Sequence, residues 1–351
     1  MFRYNDYQLK DDKMYKVYRS DDFNYNFDSI TGYTEMWGKT QDDDPIMAPF
    51  PVIADIEIAT TCHGLGAPCK FCYKSNTPVG KYMAYDTFVG IFDKLPKELT
   101  QIAFGIGDMD SNPDLYKIML HCRCHDVIPN ITINGARLTQ EDCDALKLLC
   151  GAVAVSHYDD DVCFNAVERL THDPMDGQTL KQVNIHQLLA KETVDDCLKL
   201  IEQVHVDPRL VKLNAIVFLL LKPKGARNTM HSINDLDVYV KLFKHAMRYN
   251  VNIGFDSCSA NNFIKALKRL NKDEYLKYCE ACESTLFSIY INVDGDVYPC
   301  SFCEGVGVWK KGISLATLSF NDVWNSSALN DFRTLLCQNH RNCPMYDLKV
   351  D

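Results

Sequence analysis

A chain of 351 residues, 46% hydrophobic and 24% charged, can bury a large core as one big globular domain or two. Its formal net charge of -10 gives the surface no general attraction for nucleic acid or anionic lipid, so neither is an expected partner. The longest strongly apolar run, Ala215 to Leu221, is too short to cross a bilayer, and the opening residues hold no apolar stretch of signal-peptide length. The expected location is therefore cytoplasmic, with no membrane partner. In that compartment sixteen cysteines read as metal or cluster ligands before they read as disulfides.

Residues 1–50 are rich in Tyr, Asp and Asn and are read as an N-terminal extension packed on the main domain. Within them "FDSITGYTEMWG" sets aromatic and β-branched residues either side of a Thr-Gly pair, which predicts a hairpin. From Pro51 the pattern changes to apolar runs alternating with amphipathic stretches. "VIADIEIATT" predicts a strand that runs into "CHGLGAPCKFCY", followed by a helix near "YDTFVGIFDKLP". The strands "QIAFGIGD", "NITIN", "GAVAVS", "KQVNIHQLL" and "LNAIVFLLL" follow, each with its helical stretch, and "VNIGFDSC" closes the series. Six strand–helix units and one further strand predict an α/β fold, a partial (β/α)6 TIM-like barrel over residues 51–256. Ligands of such sheets gather at the carboxyl ends of the strands, where the first cysteine group falls.

Residues 257–351 turn cysteine-rich and predict a small α+β subdomain. In it "VDGD" between "FSIYIN" and "VYPC" reads as a β-hairpin.

Cys62, Cys69 and Cys72 admit three readings: a C-x-x-C redox pair with a spare thiol, part of a zinc site, or three ligands of an iron–sulfur cluster. A strand, three clustered cysteines and repeated strand–helix units resemble the radical S-adenosylmethionine superfamily. That family uses C-x3-C-x2-C with an aromatic before the last cysteine. This chain keeps Cys69, Phe71 and Cys72 but has six residues between Cys62 and Cys69. Gly64, Gly66 and Pro68 are residues able to fold that excess into a tight loop.

The resemblance implies a 4Fe–4S cluster with one open iron for S-adenosylmethionine, reductive cleavage to a 5′-deoxyadenosyl radical, and a reducing donor such as flavodoxin or ferredoxin. It also implies cofactor contacts at successive strand ends: Gly105, Gly107 and Asp108 in "FGIGD", Asn134, Ser156, Gln187 and Lys222. The plainer alternatives are close packing for the glycines, a turn for Asn134–Gly135 and a helix cap for Ser156. His186 and Gln187 must point to opposite faces of their strand.

Cys282, Gly295 and Cys300 fit the C-x9–15-G-x4-C element of SPASM and twitch subdomains, which carry auxiliary 4Fe–4S clusters. The implied auxiliary ligands are Cys258, Cys282, Cys300 and Cys343, with Cys279 and Cys303 as substitutes. Only Cys337 and Cys343 remain of a further motif, which favours one auxiliary cluster over two. A zinc ribbon is the alternative for the tail. Substrates implied by such tails are peptides or protein side chains. A nucleoside, sugar or other small metabolite is the second reading, and a non-catalytic zinc-binding module the third.

Overall fold

The computed structural model describes residues 5–10, 13–29, 32–172 and 179–350, with side chains from residue 16 onward. Its first element is a four-stranded antiparallel sheet in sequential order: β1 (Asn5–Lys10), β2 (Lys13–Arg19), β3 (Asn24–Asp28) and β4 (Thr34–Trp37). The predicted hairpin is its β3–β4 pair, with Phe27 opposite Thr34, although Ile30 and Thr31 lie outside the described residues. Aromatic side chains fasten this sheet to the rest: Tyr25 hydrogen-bonds Thr100 at 2.9 Å, and Phe23 lies 6.4 Å from the Phe287 ring.

The remaining strands form one ten-stranded sheet. Its parallel part is β5 (Ile53–Glu57), β6 (Gln101–Gly105), β7 (Ile128–Ile133), β8 (Ala152–Ser156), β9 (Gln182–Leu189), β10 (Ala215–Leu220) and β11 (Ile253–Phe255). Between them lie α1 (Tyr85–Phe92), α2 (Leu115–Cys124), α3 (Gln140–Leu149), α4 (Asp160–Thr171), α5 (Val194–Val206) and α6 (Leu236–Tyr249). All six predicted units are present, and the architecture is the expected partial barrel.

Local chemistry sets the helix boundaries. Thr139 and Asp142 close a capping box at the start of α3. Asp159 and Asp235 cap α4 and α6, and Asn250 ends α6 in the left-handed conformation.

Strand alternation sorts the side chains into two rows. One row, including Ile56, Phe104, Ile133, Val155, Ile185 and Phe218, is buried beneath helix residues such as Phe88, Leu146 and Leu242. The other row, including Asp55, Ala103, Thr132, Ser156, His186 and Val217, is partly or fully exposed along the opposite face.

After α7 (Ala260–Arg269), the tail supplies β12 (Ser288–Ile291), β13 (Asp296–Tyr298), β14 (Ile313–Ser314), α8 (Phe320–Trp324) and α9 (Ser327–Gln338). The predicted hairpin is β12–β13, and Gly295 takes φ +81° in its turn. Strand β12 pairs in parallel with β5, so the tail extends the main sheet. Arg333, buried, locks α9 down by donating to the Thr285 carbonyl and the Trp324 carbonyl, both at 2.7 Å. Among the described residues no helix is long and apolar enough to cross a membrane.

Candidate functional site

The backbone that leaves β5 folds back on itself to present three thiols. Cys62 N donates to Thr77 O at 2.9 Å, and Thr61 bridges Thr77, so the ends of the loop are tied together. The six residues between Cys62 and Cys69 are absorbed by two left-handed glycines, Gly64 at φ +60° and Gly66 at φ +95°. A Cβ on Gly64 would lie 2.2 Å from the Ala67 carbonyl oxygen. Arg227 clamps the far side, donating to the carbonyls of Asn76 at 2.8 Å, Ser75 at 3.3 Å and Cys69 at 3.4 Å.

All three cysteines are half-buried. Burial raises the Cys62 thiol and pushes Cys69 up to about 11, and the neighbouring sulfurs of the trio add to both shifts.

Asp108, just beyond β6, holds this loop to the sheet. Its carboxylate accepts from His63 N at 2.7 Å, from His63 Nδ1 at 2.8 Å and from Asn134 Nδ2 at 2.8 Å. Arg137 stands 3.0 Å away and Cys62 Sγ 3.9 Å. Burial alone would raise this carboxyl, but the bonds from His63 and Asn134 and the Arg137 charge hold it below its usual range.

Gly107 makes the close approach possible. A Cβ there would stand 1.9 Å from Thr61 O and 2.6 Å from Cys62 Cβ. Gly107→Ala is therefore expected to destabilise the fold by about 1–3 kcal/mol, because the clash is with backbone. Urea denaturation of the purified variant measures that loss, and its iron content should fall with it.

The other predicted contacts divide. Gly105 and Ser156 lie on the exposed row, and Ser156 caps no helix, because Asp159 caps α4. Asn134 is buried, bound to Asp108 and to Ala136 N. Gln187 is on the helix-facing row, where its carbonyl oxygen meets His157 Nδ1 at 2.6 Å; His186 takes the opposite row.

Lys222 stands among the second cysteine group. Its ammonium donates to Asp256 Oδ2 at 2.5 Å, and its charge reaches Cys258, Cys300 and Cys343. Lys222, expected as a cofactor contact at the end of the sixth strand, is paired with this carboxylate of the chain itself.

In the tail, Cys300 is a charge neighbour of Cys258, Cys282 and Cys303, and Cys343 of Cys282 and Cys303. Burial raises Cys258 well above the ordinary thiol value and Cys282 to about 12. Cys300 Sγ and Cys303 Sγ are 3.5 Å apart, and the bond from the Cys303 thiol favours the Cys300 thiolate. Cys279 instead bonds the Tyr275 carbonyl at 3.7 Å, and Cys337 is exposed on α9. Among the described residues no three Cys, His, Asp or Glu gather tightly enough to hold a single metal ion. Zinc needs four ligands around one atom, whereas a cluster presents separate irons to more widely spread sulfurs. The donor chemistry, thiols with the His63 imidazole already engaged by Asp108, fits iron–sulfur clusters at both groups.

Sequence reading missed the bridge between the two groups. Tyr73 OH donates to Ser301 Oγ at 3.1 Å, and its ring lies 4.3 Å from Phe302. Beside it Lys74 pairs with Glu57 at 3.1 Å and also with Glu304, and donates to Tyr290 OH at 2.8 Å. The only sequence signal was position: Tyr73 and Lys74 directly follow Cys72, and Ser301 and Phe302 directly follow Cys300.

Residues 279–345 match the family model SPASM, an iron–sulfur cluster-binding domain. None of the curated proteins matches the chain in sequence. Among solved structures, SuiB of Streptococcus suis bound to the precursor peptide SuiA is 13% identical with a TM-score of 0.63, covering 87% of this chain and 76% of SuiB. SuiB bound to S-adenosylmethionine is 15% identical with a TM-score of 0.61, covering 82% and 68%. Native anSMEcpe with bound AdoMet is 14% identical with a TM-score of 0.55, covering 81% and 83%. The chain is thus a partial α/β barrel with the fold of SuiB and anSMEcpe, carrying a carboxy-terminal SPASM domain.

Proposed function

We propose that this chain is a radical S-adenosylmethionine enzyme that modifies a peptide or protein side chain. The observation that carries the reading is the meeting of Cys62, Cys69 and Cys72 in one tied loop at the carboxyl end of β5, beside the strand ends of β6 and β7. When bound there, a 4Fe–4S cluster with one open iron and S-adenosylmethionine supplies a 5′-deoxyadenosyl radical for hydrogen abstraction.

The chain's own residues have the supporting tasks. Cys62, Cys69 and Cys72 supply three thiolates. Asp108 and Gly107 hold Cys62 against the sheet, and Arg227 fixes the loop's return. Gly105, Asn134 and Ser156 stay as candidate contacts to the methionyl and ribose groups, whereas Gln187 acts from the helix side as a support for His157. Cys258, Cys282, Cys300 and Cys343 are proposed as auxiliary ligands, with Cys303 the one substitute inside the group. Tyr73, Ser301 and Phe302 pack the two centres into one wall.

The peptide reading draws support from SuiB, solved with its precursor peptide. Reducing equivalents would come from flavodoxin or ferredoxin, and the cytoplasm is the proposed location. Anaerobic purification followed by iron and sulfide analysis tests the reading, with about eight iron atoms per chain expected. Zinc in place of iron would sink it. Reduction in the presence of S-adenosylmethionine should then release 5′-deoxyadenosine.

A further inference from the structure

Lys222 is a buried cation that none of the proposed chemistry uses. It lies two residues beyond β10, is 4% exposed, and stands 4.4 Å from the centre of the Phe302 ring. Its carboxylate partner is itself fixed: Asp256 Oδ1 accepts from Ser259 Oγ at 2.6 Å and from Ser259 N at 3.2 Å. Burying an ammonium is costly, and a hydrophobic residue of similar length would fill the space without that cost. The position of the charge argues for a use. Phe302, whose ring it faces, lies between Cys300 and Cys303 in sequence, and Asp256 lies two residues before Cys258. The ammonium is thus held between a carboxylate two residues from Cys258 and an aromatic ring two residues from Cys300.

We propose that Lys222 is a fixed counter-charge that raises the reduction potential of an auxiliary iron–sulfur cluster held by Cys258, Cys282, Cys300 and Cys343. The inference rests on the auxiliary cluster proposed above. Adding one electron makes a thiolate-ligated cluster one unit more negative. A buried positive charge beside the sulfurs stabilises the reduced form more than the oxidised form. Asp256 opposes this in part, and its main task is to hold the ammonium in place. Lys222 is a positioning and tuning residue, with no contact to substrate.

A potentiometric titration of the full, cluster-loaded chain, read by electron paramagnetic resonance, tests the inference. The auxiliary signal is assigned in a parallel sample with Cys62, Cys69 and Cys72 replaced by Ala. Lys222→Met should make reduction at least tenfold less favourable, a shift of about 59 mV to lower potential for one electron. Lys222→Arg keeps the charge and should stay near the parent value. Asp256→Asn removes the opposing charge and should shift the potential upward.

A Lys222→Met potential equal to the parent's overturns the inference, as does an Arg variant displaced as far as the Met variant. Where Lys222→Met does not retain its cluster, Asp256→Asn decides, and an unchanged or lowered potential there overturns it. An iron content of about four atoms per chain with no auxiliary signal strikes the underlying cluster reading instead.

Discussion

Cys62→Ala is expected to abolish 5′-deoxyadenosine formation and to lower iron by about four atoms per chain. Three thiolates are the minimum that leaves a cubane one open iron, so none of the three is dispensable. Cys62 is the sharpest of them to test, because its distance in sequence from Cys69 departs from the family spacing. Its place in the fold answers that departure. It is pinned by Thr77 O, by the Asp108–His63 pair and by the fit of Gly107 beneath it. Those restraints act on the backbone and survive loss of the sulfur, so the variant should fold while losing the cluster. Cys69→Ala and Cys72→Ala should behave the same way. Cys124→Ala, which removes an exposed thiol on α2, should leave iron and nucleoside release unchanged. Full nucleoside release by Cys62→Ala would remove this residue from the ligand set and leave the trio a pair.

The six strand–helix units were readable because each strand is a short apolar run, and α3, α4 and α6 carry their own caps. The buried row of β5 to β10 needed nothing else. Pairings between distant segments were not readable. Strand β12 is four residues long, and nothing local says that Ser288 will lie beside Ile53 in a parallel register. Its partner is chosen by the burial of Ile289 and Ile291 with the barrel core.

Side-chain direction was legible only as a relation. Alternation puts His186 and Gln187 on opposite faces, but the choice between faces follows from His157, which gives Gln187 a partner at 2.6 Å beneath the helices. Lys222 shows the same limit beyond a strand end. Once β10 has finished, alternation no longer constrains direction, and Asp256, leaving β11 next door, draws the ammonium toward the second cysteine group. Asp108 was found from its place after β6, yet its bond to His63 depends on how the preceding loop folds back. That bond makes Asp108 a support for the cysteine loop.

Cys300→Ala is expected to stop product formation while 5′-deoxyadenosine release continues, with iron falling from about eight to about four atoms per chain. The separation follows from how the tail is anchored. Strand β12 is hydrogen-bonded to β5, and Arg333 holds α9 to the carbonyls of Thr285 and Trp324, so neither depends on a cluster for its place. Losing the auxiliary centre therefore leaves the barrel and the first cysteine loop standing. Tyr73 and Ser301 carry the contact between the two regions through side chains other than the cysteines. Cys282→Ala should match Cys300→Ala, because its thiol is buried in the same group. Cys279→Ala should retain full iron, since that thiol points to the Tyr275 carbonyl. Cys303→Ala discriminates within the group: Cys303 lies 3.5 Å from Cys300, and retained iron in this variant assigns the ligand to Cys300. Loss of nucleoside release in Cys300→Ala, with iron near zero, would mean that the two centres assemble as one unit, and the separation argued here would fail.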